Sequence, residues 1–161
     1  MILLTGATGF VGKKLAKRLI DCGYELISIK RKHTSCEALG AYAQKIHWIS
    51  ENELEKAFSE FTIDIIIHCA TQYGRNKKAC VDLVSANIEL PIKLVELGNE
   101  HACKLFINTD SFFTKNIQNR LSSDIYMENY SLSKFSPMFT TSPAPIVINR
   151  SPWIQCDFTK S

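Results

Sequence analysis

The stretch Met1-Ile2-Leu3-Leu4-Thr5-Gly6-Ala7-Thr8-Gly9-Phe10-Val11-Gly12 sets Gly6, Gly9 and Gly12 at G-x-x-G-x-x-G spacing. A short apolar run, Met1 to Leu4, precedes the glycines, and Val11, Leu15, Leu19 and Ile20 follow at helical spacing between Phe10 and Ile20. The pattern predicts a strand, a glycine turn and a helix. In such a turn one glycine allows the tight bend, one allows an anion to approach the main chain, and one allows close helix–strand packing. The anion would rest on the helix N-terminus, where free N–H groups and the dipole favour negative charge. The triphosphate loop G-x-x-x-x-G-K-[ST] fails on the same residues. Counting back from Gly12-Lys13, it needs glycine where Ala7 stands and a hydroxyl residue where Lys14 stands.

Outward from this turn, the first helix should end near Cys22-Gly23, and Tyr24 to Ile29 reads as the second strand. Ile46 to Ile49 reads as a third strand. Ser50 with Glu53 has capping-box spacing and opens a helix from Glu51 to Phe61. Ile63 to Cys69 is a buried strand, Val81 to Leu97 an amphipathic helix that contains Pro91, and Lys104 to Asn108 a fifth strand. A helix from about Tyr126 to Phe135 and a sixth strand, Ile146 to Asn149, complete the pattern, with the proline-rich Ser136 to Pro145 between them as a loop. Strands alternating with helices predict an α/β fold, a doubly wound parallel sheet. The 161 residues fit one domain, with its motifs within 1–135 and a divergent tail over 136–161.

Composition narrows the function class. Nineteen basic and 16 acidic residues, a net charge of +3, are scattered along the chain, which argues against a nucleic-acid partner. The six cysteines contain no C-x-x-C pair and read as reduced thiols, and His33, His47 and His101 share no metal-site spacing, so no metal is expected. Four apolar residues without a basic lead make no signal peptide, and no apolar run reaches the ~18 residues of a bilayer span. The expected setting is the cytoplasm, without membrane attachment. Lys30-Arg31-Lys32 follows the second strand, where an acid would bind a ribose 2′-hydroxyl and a base a 2′-phosphate. Lys30 and Arg31 therefore favour NADP over NAD.

TGATGFVG (5–12), HCAT (68–71), Asn87, FINTD (106–110) and YSLSK (130–134), taken in that order, resemble the extended short-chain dehydrogenase/reductases, the NAD(P)-dependent epimerase/dehydratase family. The resemblance implies a Rossmann fold, a nucleotide-sugar substrate and oxidoreductase chemistry, and leaves room for a homodimer. It implies that Gly6, Gly9, Phe10, Val11 and Gly12 hold the pyrophosphate and that His68, Cys69 and Ala70 line the cofactor. Asn87 would support the site. Thr109 would steady the reacting sugar oxygen, and Tyr130 with Lys134 would be the proton-transfer pair, Lys134 also reaching the nicotinamide ribose. That pair has a physical rationale of its own. A phenol with a pKa near about 10 needs a neighbouring cation to work as a base, and residues i and i+4 share a helix face. A second match, Tyr73 to Lys77, directly follows a strand, where the family has no catalytic tyrosine.

Ser111 stands where the sugar 4,6-dehydratases of the family carry a glutamate, and serine cannot act as the elimination base. The segments ATQYGR and FINTDSFF look more like the branch of bacterial surface-polysaccharide sugars, which includes synthases of CDP-linked deoxysugars. After Lys134 the pattern departs from the family. Pro137 would cut the Tyr130 helix short, and eleven residues separate Lys134 from Ile146. The C-terminal substrate domain is expected to be missing or vestigial. Two classes follow: a compact enzyme, or a catalytically impaired dinucleotide-binding remnant or cofactor sensor. Exposure of Trp153, Ile154 and Phe158 would favour a partner surface.

Overall fold

The computed structural model describes residues 1–73, 80–109 and 146–149. In chain order they form β1 (Ile2–Thr5), α1 (Phe10–Asp21), β2 (Leu26–Ile29), a 3-10 stretch (Glu37–Lys45) and β3 (Ile46–Ile49). A 3-10 turn (Glu51–Glu53), α2 (Leu54–Glu60) and β4 (Ile65–His68) follow. The chain then forms α3 (Cys80–Val84), a π-helical segment (Ser85–Glu89), α4 (Leu90–Glu100), β5 (Leu105–Thr109) and β6 (Ile146–Asn149). The predicted Tyr126–Phe135 helix and the tail residues Trp153, Ile154 and Phe158 lie outside the described residues.

All six strands pair in parallel, in the order β3-β2-β1-β4-β5-β6. This is the doubly wound Rossmann order, which leaves a crevice at the strand C-termini where the winding reverses between β1 and β4. Because side chains alternate along a strand and both faces are covered, the strands are mainly apolar, with polar residues such as Thr5, His68 and Asn108 at their C-terminal ends. Leu3, Ile27, Ile66 and Phe106 face Leu54 and Phe58 of α2 and Leu90 and Leu94 of α4. Ile2, Leu4, Leu26 and Ile67 face Ala16 of α1 and Leu39 of the 3-10 stretch. No helix among the described residues is long and apolar enough to cross a membrane.

Two local features differ from the sequence reading. The single helix expected over Val81–Leu97 is divided, since Pro91 has no N–H to return to the preceding turn and the ladder loosens just before it. There the Leu90 N–H bonds Ser85 O, the i→i−5 step of a π turn. The 3-10 stretch is an added element. It joins two short turns across Gly40 (φ +58°), so it shows no 3.6-residue period, yet it buries Leu39 and offers Ala43 O to Trp48 Nε1 at 2.9 Å. The Ser50–Glu53 capping box forms as expected, and the Ser50 amide and hydroxyl hold the Glu53 carboxyl below its usual range. Cys22, Cys36 and Cys103 are free thiols.

At the N-terminal ends of the central strands, opposite the crevice, Asp64 accepts Lys104 Nζ at 2.6 Å and the Met1 ammonium at 2.8 Å. These two bonds lower its carboxyl from the ordinary 3.8 to about 2. A depressed carboxyl stabilises the fold above its unfolded pKa, and that contribution disappears as pH falls through the folded value. The expected result is that Asp64→Asn melts below the native protein near neutral pH. The gap should close between about pH 4 and pH 2, as read by melting temperature against pH.

Candidate functional site

The glycine turn lies at the head of β1, on the crevice. The Gly9 N–H bonds Gly6 O at 2.9 Å, and α1 begins at once with Gly9 as its N-cap. Gly6 adopts φ +71°, and a Cβ there would lie 2.7 Å from Ala70 N and 2.8 Å from the Cys69 carbonyl carbon. At Gly12 a Cβ would be driven into Gly6 O. These two glycines serve the fold. Gly9 differs, since at φ −74° its Cβ would meet only Gly6 O, at 3.2 Å. The space above it lies over the α1 N-terminus, which has no side-chain cap and no acidic residue in its first turn. The amides of Phe10, Val11 and Gly12 have no acceptor within the helix. An anion fits there.

From this turn opens a cleft of about 330 Å³, of the size of small-molecule sites. Thr5, Gly6 and Thr8 form one wall, and Ala70, Thr71 and Gln72, following β4, form another. Ile29, Arg31 and Thr34 close the end beyond β2, with Glu51 from beyond β3. Asp82, Ser85, Ala86 and Leu90 close the side toward α3 and the π segment. The donor set fits a dinucleotide: a main-chain cradle for a diphosphate, hydroxyls for riboses, and a guanidinium at the β2 end.

A buried polar layer underlies the cleft. Thr5, His68 and Asn108 are register partners across β1, β4 and β5, and all three are buried. They continue the face on which Leu3, Ile66 and Phe106 lie one pleat below. Thr5 Oγ1 lies 2.8 Å from His68 Nδ1 and accepts the Ala70 N–H at 3.1 Å. Asn87, 1% exposed, accepts the Gln72 N–H on Oδ1 and donates from Nδ2 to Gln72 O, both at 2.8 Å.

The predicted site residues divide on this geometry. Gly6, Arg31 and Ala70 line the cleft, and Gly9 and Gly12 shape its head. Phe10 and Val11 are exposed at the start of α1, so their amides rather than their side chains face the anion position. Lys30 is turned away, its Nζ 5.9 Å from the Trp48 ring centre. Of His68, Cys69 and Ala70, only Ala70 reaches the cleft. His68 belongs to the polar layer, and Cys69 packs on the opposite face of the sheet. Asn87 is buried beneath the cleft wall and does not line it. The Thr109 hydroxyl donates to His68 O at 3.0 Å, leaving its lone pairs to accept. Tyr130 and Lys134 lie outside the described residues.

Sequence reading passed over Thr5, Thr8, Thr34, Glu51, Thr71, Gln72, Asp82 and Ser85. Thr5 and Thr8, within TGATGFVG, Thr71, within HCAT, and Gln72, within ATQYGR, stood inside motifs that could have signalled them.

Comparison with known proteins places this geometry in a family. The model of the NAD dependent epimerase/dehydratase family matches residues 2–136. CDP-abequose synthase of Salmonella muenchen is 41% identical over 115 residues, which is 71% of this chain and 38% of that protein. The Salmonella typhimurium CDP-abequose synthase is 33% identical over 120 residues, 71% of this chain and 39% of that protein. The chain thus spans under two-fifths of the length of these relatives. The Bordetella bronchiseptica enzyme WbmG, solved in complex with NAD and UDP, superposes with a TM-score of 0.74 at 21% identity. The superposition covers 91% of this chain and 51% of WbmG, and at that identity the likeness concerns the fold alone.

Proposed function

This chain belongs to the NAD dependent epimerase/dehydratase family, and we propose that it is the dinucleotide-binding part of an oxidoreductase that acts on a nucleotide sugar. The observation that carries the reading is the open face of Gly9 above the uncapped N-terminus of α1, at the head of a cleft that ends on Arg31. When bound, the nicotinamide supplies hydride exchange with a sugar carbon. The chain's own residues do the rest. The first-turn amides of α1 hold the diphosphate, and the 70–72 main chain forms the wall against which the dinucleotide lies. Tyr130 moves the proton at the sugar oxygen, Lys134 stabilises the phenolate, and Thr109 steadies that oxygen by turning its hydroxyl from His68 O to donate to it. Likeness to two CDP-abequose synthases favours a CDP-linked deoxysugar, as used in surface polysaccharides.

Arg31 makes NADP the favoured cofactor. A charge-assisted hydrogen bond contributes about 1.5–3 kcal/mol, so NADP should bind roughly tenfold or more tightly than NAD. Arg31→Leu should bring the two affinities together, as calorimetric titration would show. Equal affinities in the native chain would remove the preference, and failure to bind either cofactor would overturn the functional reading. A second reading, a cofactor-binding module without turnover, keeps the same cleft.

A further inference from the structure

The run Glu51-Asn52-Glu53-Leu54-Glu55 carries three carboxylates, and two of them are engaged away from the cleft. Glu53 accepts the Ser50 amide and hydroxyl, both at 2.7 Å, and Glu55 takes Lys93 Nζ at 2.9 Å. The Glu51 carboxylate has no ion pair among the described residues, and Glu51 lines the cleft. Its place there follows from the sheet. β2 and β3 run parallel, with Ile29 and Ile49 as register partners at their C-terminal ends. Arg31 and Glu51 therefore leave adjacent strands at the same offset, each two residues beyond that pair. Both line the cleft, and although neighbouring strands are only about 4.8 Å apart, no ion pair joins the two among the described residues. Between them lies the end of the cleft that the dinucleotide reading gives to the adenosine ribose.

We infer that Glu51 is a specificity-determining residue that restrains the NADP preference set by Arg31. A ribose 2′-hydroxyl can donate to the Glu51 carboxylate, whereas a 2′-phosphate in the same place is repelled by it. Arg31 acts in the opposite sense. The cleft end thus carries one reader for each cofactor, the base from beyond β2 and the acid from beyond β3. The inference rests on the dinucleotide reading above.

Glu51→Gln tests it, because glutamine keeps the size of the side chain and removes its charge. Since that carboxylate holds no ion pair among the described residues, the melting temperature should stay near native. Expected at about 0.05 M salt, by calorimetric titration, is NADP bound roughly fivefold more tightly than by the native chain and NAD about twofold more weakly. The NADP-to-NAD preference thereby rises about tenfold. At 1 M salt the Debye length falls to about 3 Å, and the gain in NADP affinity should shrink below about twofold. Asp82→Asn is the control, since it removes an equal charge from the side of the cleft toward α3. It should move both cofactors in the same direction and keep their ratio within about twofold of native.

An unchanged ratio in Glu51→Gln would overturn the inference, as would an equal weakening of both cofactors, the mark of a structural or base-contacting residue. A ratio shift as large in Asp82→Asn would overturn it too, because the general field of the cleft would then set the choice. If Glu51→Gln does not fold, Glu51→Ala is read in the same way, and an unchanged ratio there overturns the inference. A native chain that binds neither NAD nor NADP would overturn the functional reading and this one together. Native binding with an indifferent Glu51→Gln overturns this one alone.

Discussion

Gly9→Val is expected to leave the domain folded and to weaken NADP and NAD alike by about a hundredfold or more, on the order of 2.7 kcal/mol. The three glycines of the turn divide by what surrounds them. At Gly12 a side chain has nowhere to go but into Gly6 O, and at Gly6 it meets the Cys69–Ala70 main chain in a backbone conformation that L-residues avoid. Substitution at either should cost folding first. At Gly9 the backbone is extended and the nearest obstacle is Gly6 O at 3.2 Å, which an adjustment of a few tenths of an ångström relieves. The rest of the valine would occupy the volume over the α1 N-terminus, where the diphosphate must meet the amides. Far-UV circular dichroism and a thermal melt establish folding, and calorimetric titration reads affinity. A folded Gly9→Val protein with native affinity would remove the glycine turn from the site.

Much of this arrangement was legible before any coordinates, for identifiable reasons. β3 and β6 fall where the runs Ile46–Ile49 and Ile146–Asn149 place them, because Ile46, Trp48 and Ile49 in one and Ile146, Val147 and Ile148 in the other are β-branched or aromatic and suit a pleated strand. The glycine turn was legible because its constraints are local, each glycine answering to atoms within a few residues or on the adjacent strand. What escaped was non-local. Asn87 declares nothing in sequence of its bond to Gln72, which depends on a π turn that the apolar period of Val81–Leu97 conceals. The contiguous triplet His68-Cys69-Ala70 looked uniform, but strand alternation sends the first two to opposite faces and leaves the third at the cleft. Lys30 and Arg31 separate in the same way, one toward Trp48 and one into the cleft.

A polypeptide of these 161 residues is expected to bind dinucleotide yet turn over nucleotide sugars slowly. The cleft supplies contacts for a cofactor from the glycine turn after β1, from residues 70–72 after β4 and from the helical segments beside them. The sugar is a different matter. The two CDP-abequose synthases are more than twice as long as the stretch they share with this chain. Binding energy from parts of a substrate remote from the reacting carbon is what holds that carbon in position. Well-oriented groups gain about 7–11 kcal/mol in effective molarity, and a loosely held sugar would forfeit several of these even were Thr109, Tyr130 and Lys134 to act as proposed. The measurement is an assay of the purified polypeptide with CDP-, UDP-, dTDP- and GDP-linked sugars and their 4-keto forms, following nicotinamide absorbance and product epimers. Turnover of about one per second lies within the ordinary enzyme range and would defeat the expectation, provided that Tyr130→Phe abolishes it. Binding without turnover would instead favour the cofactor-binding module. The Gly9→Val protein serves as the matched control in either case, since it should lose the cofactor and with it any signal that belongs to this cleft.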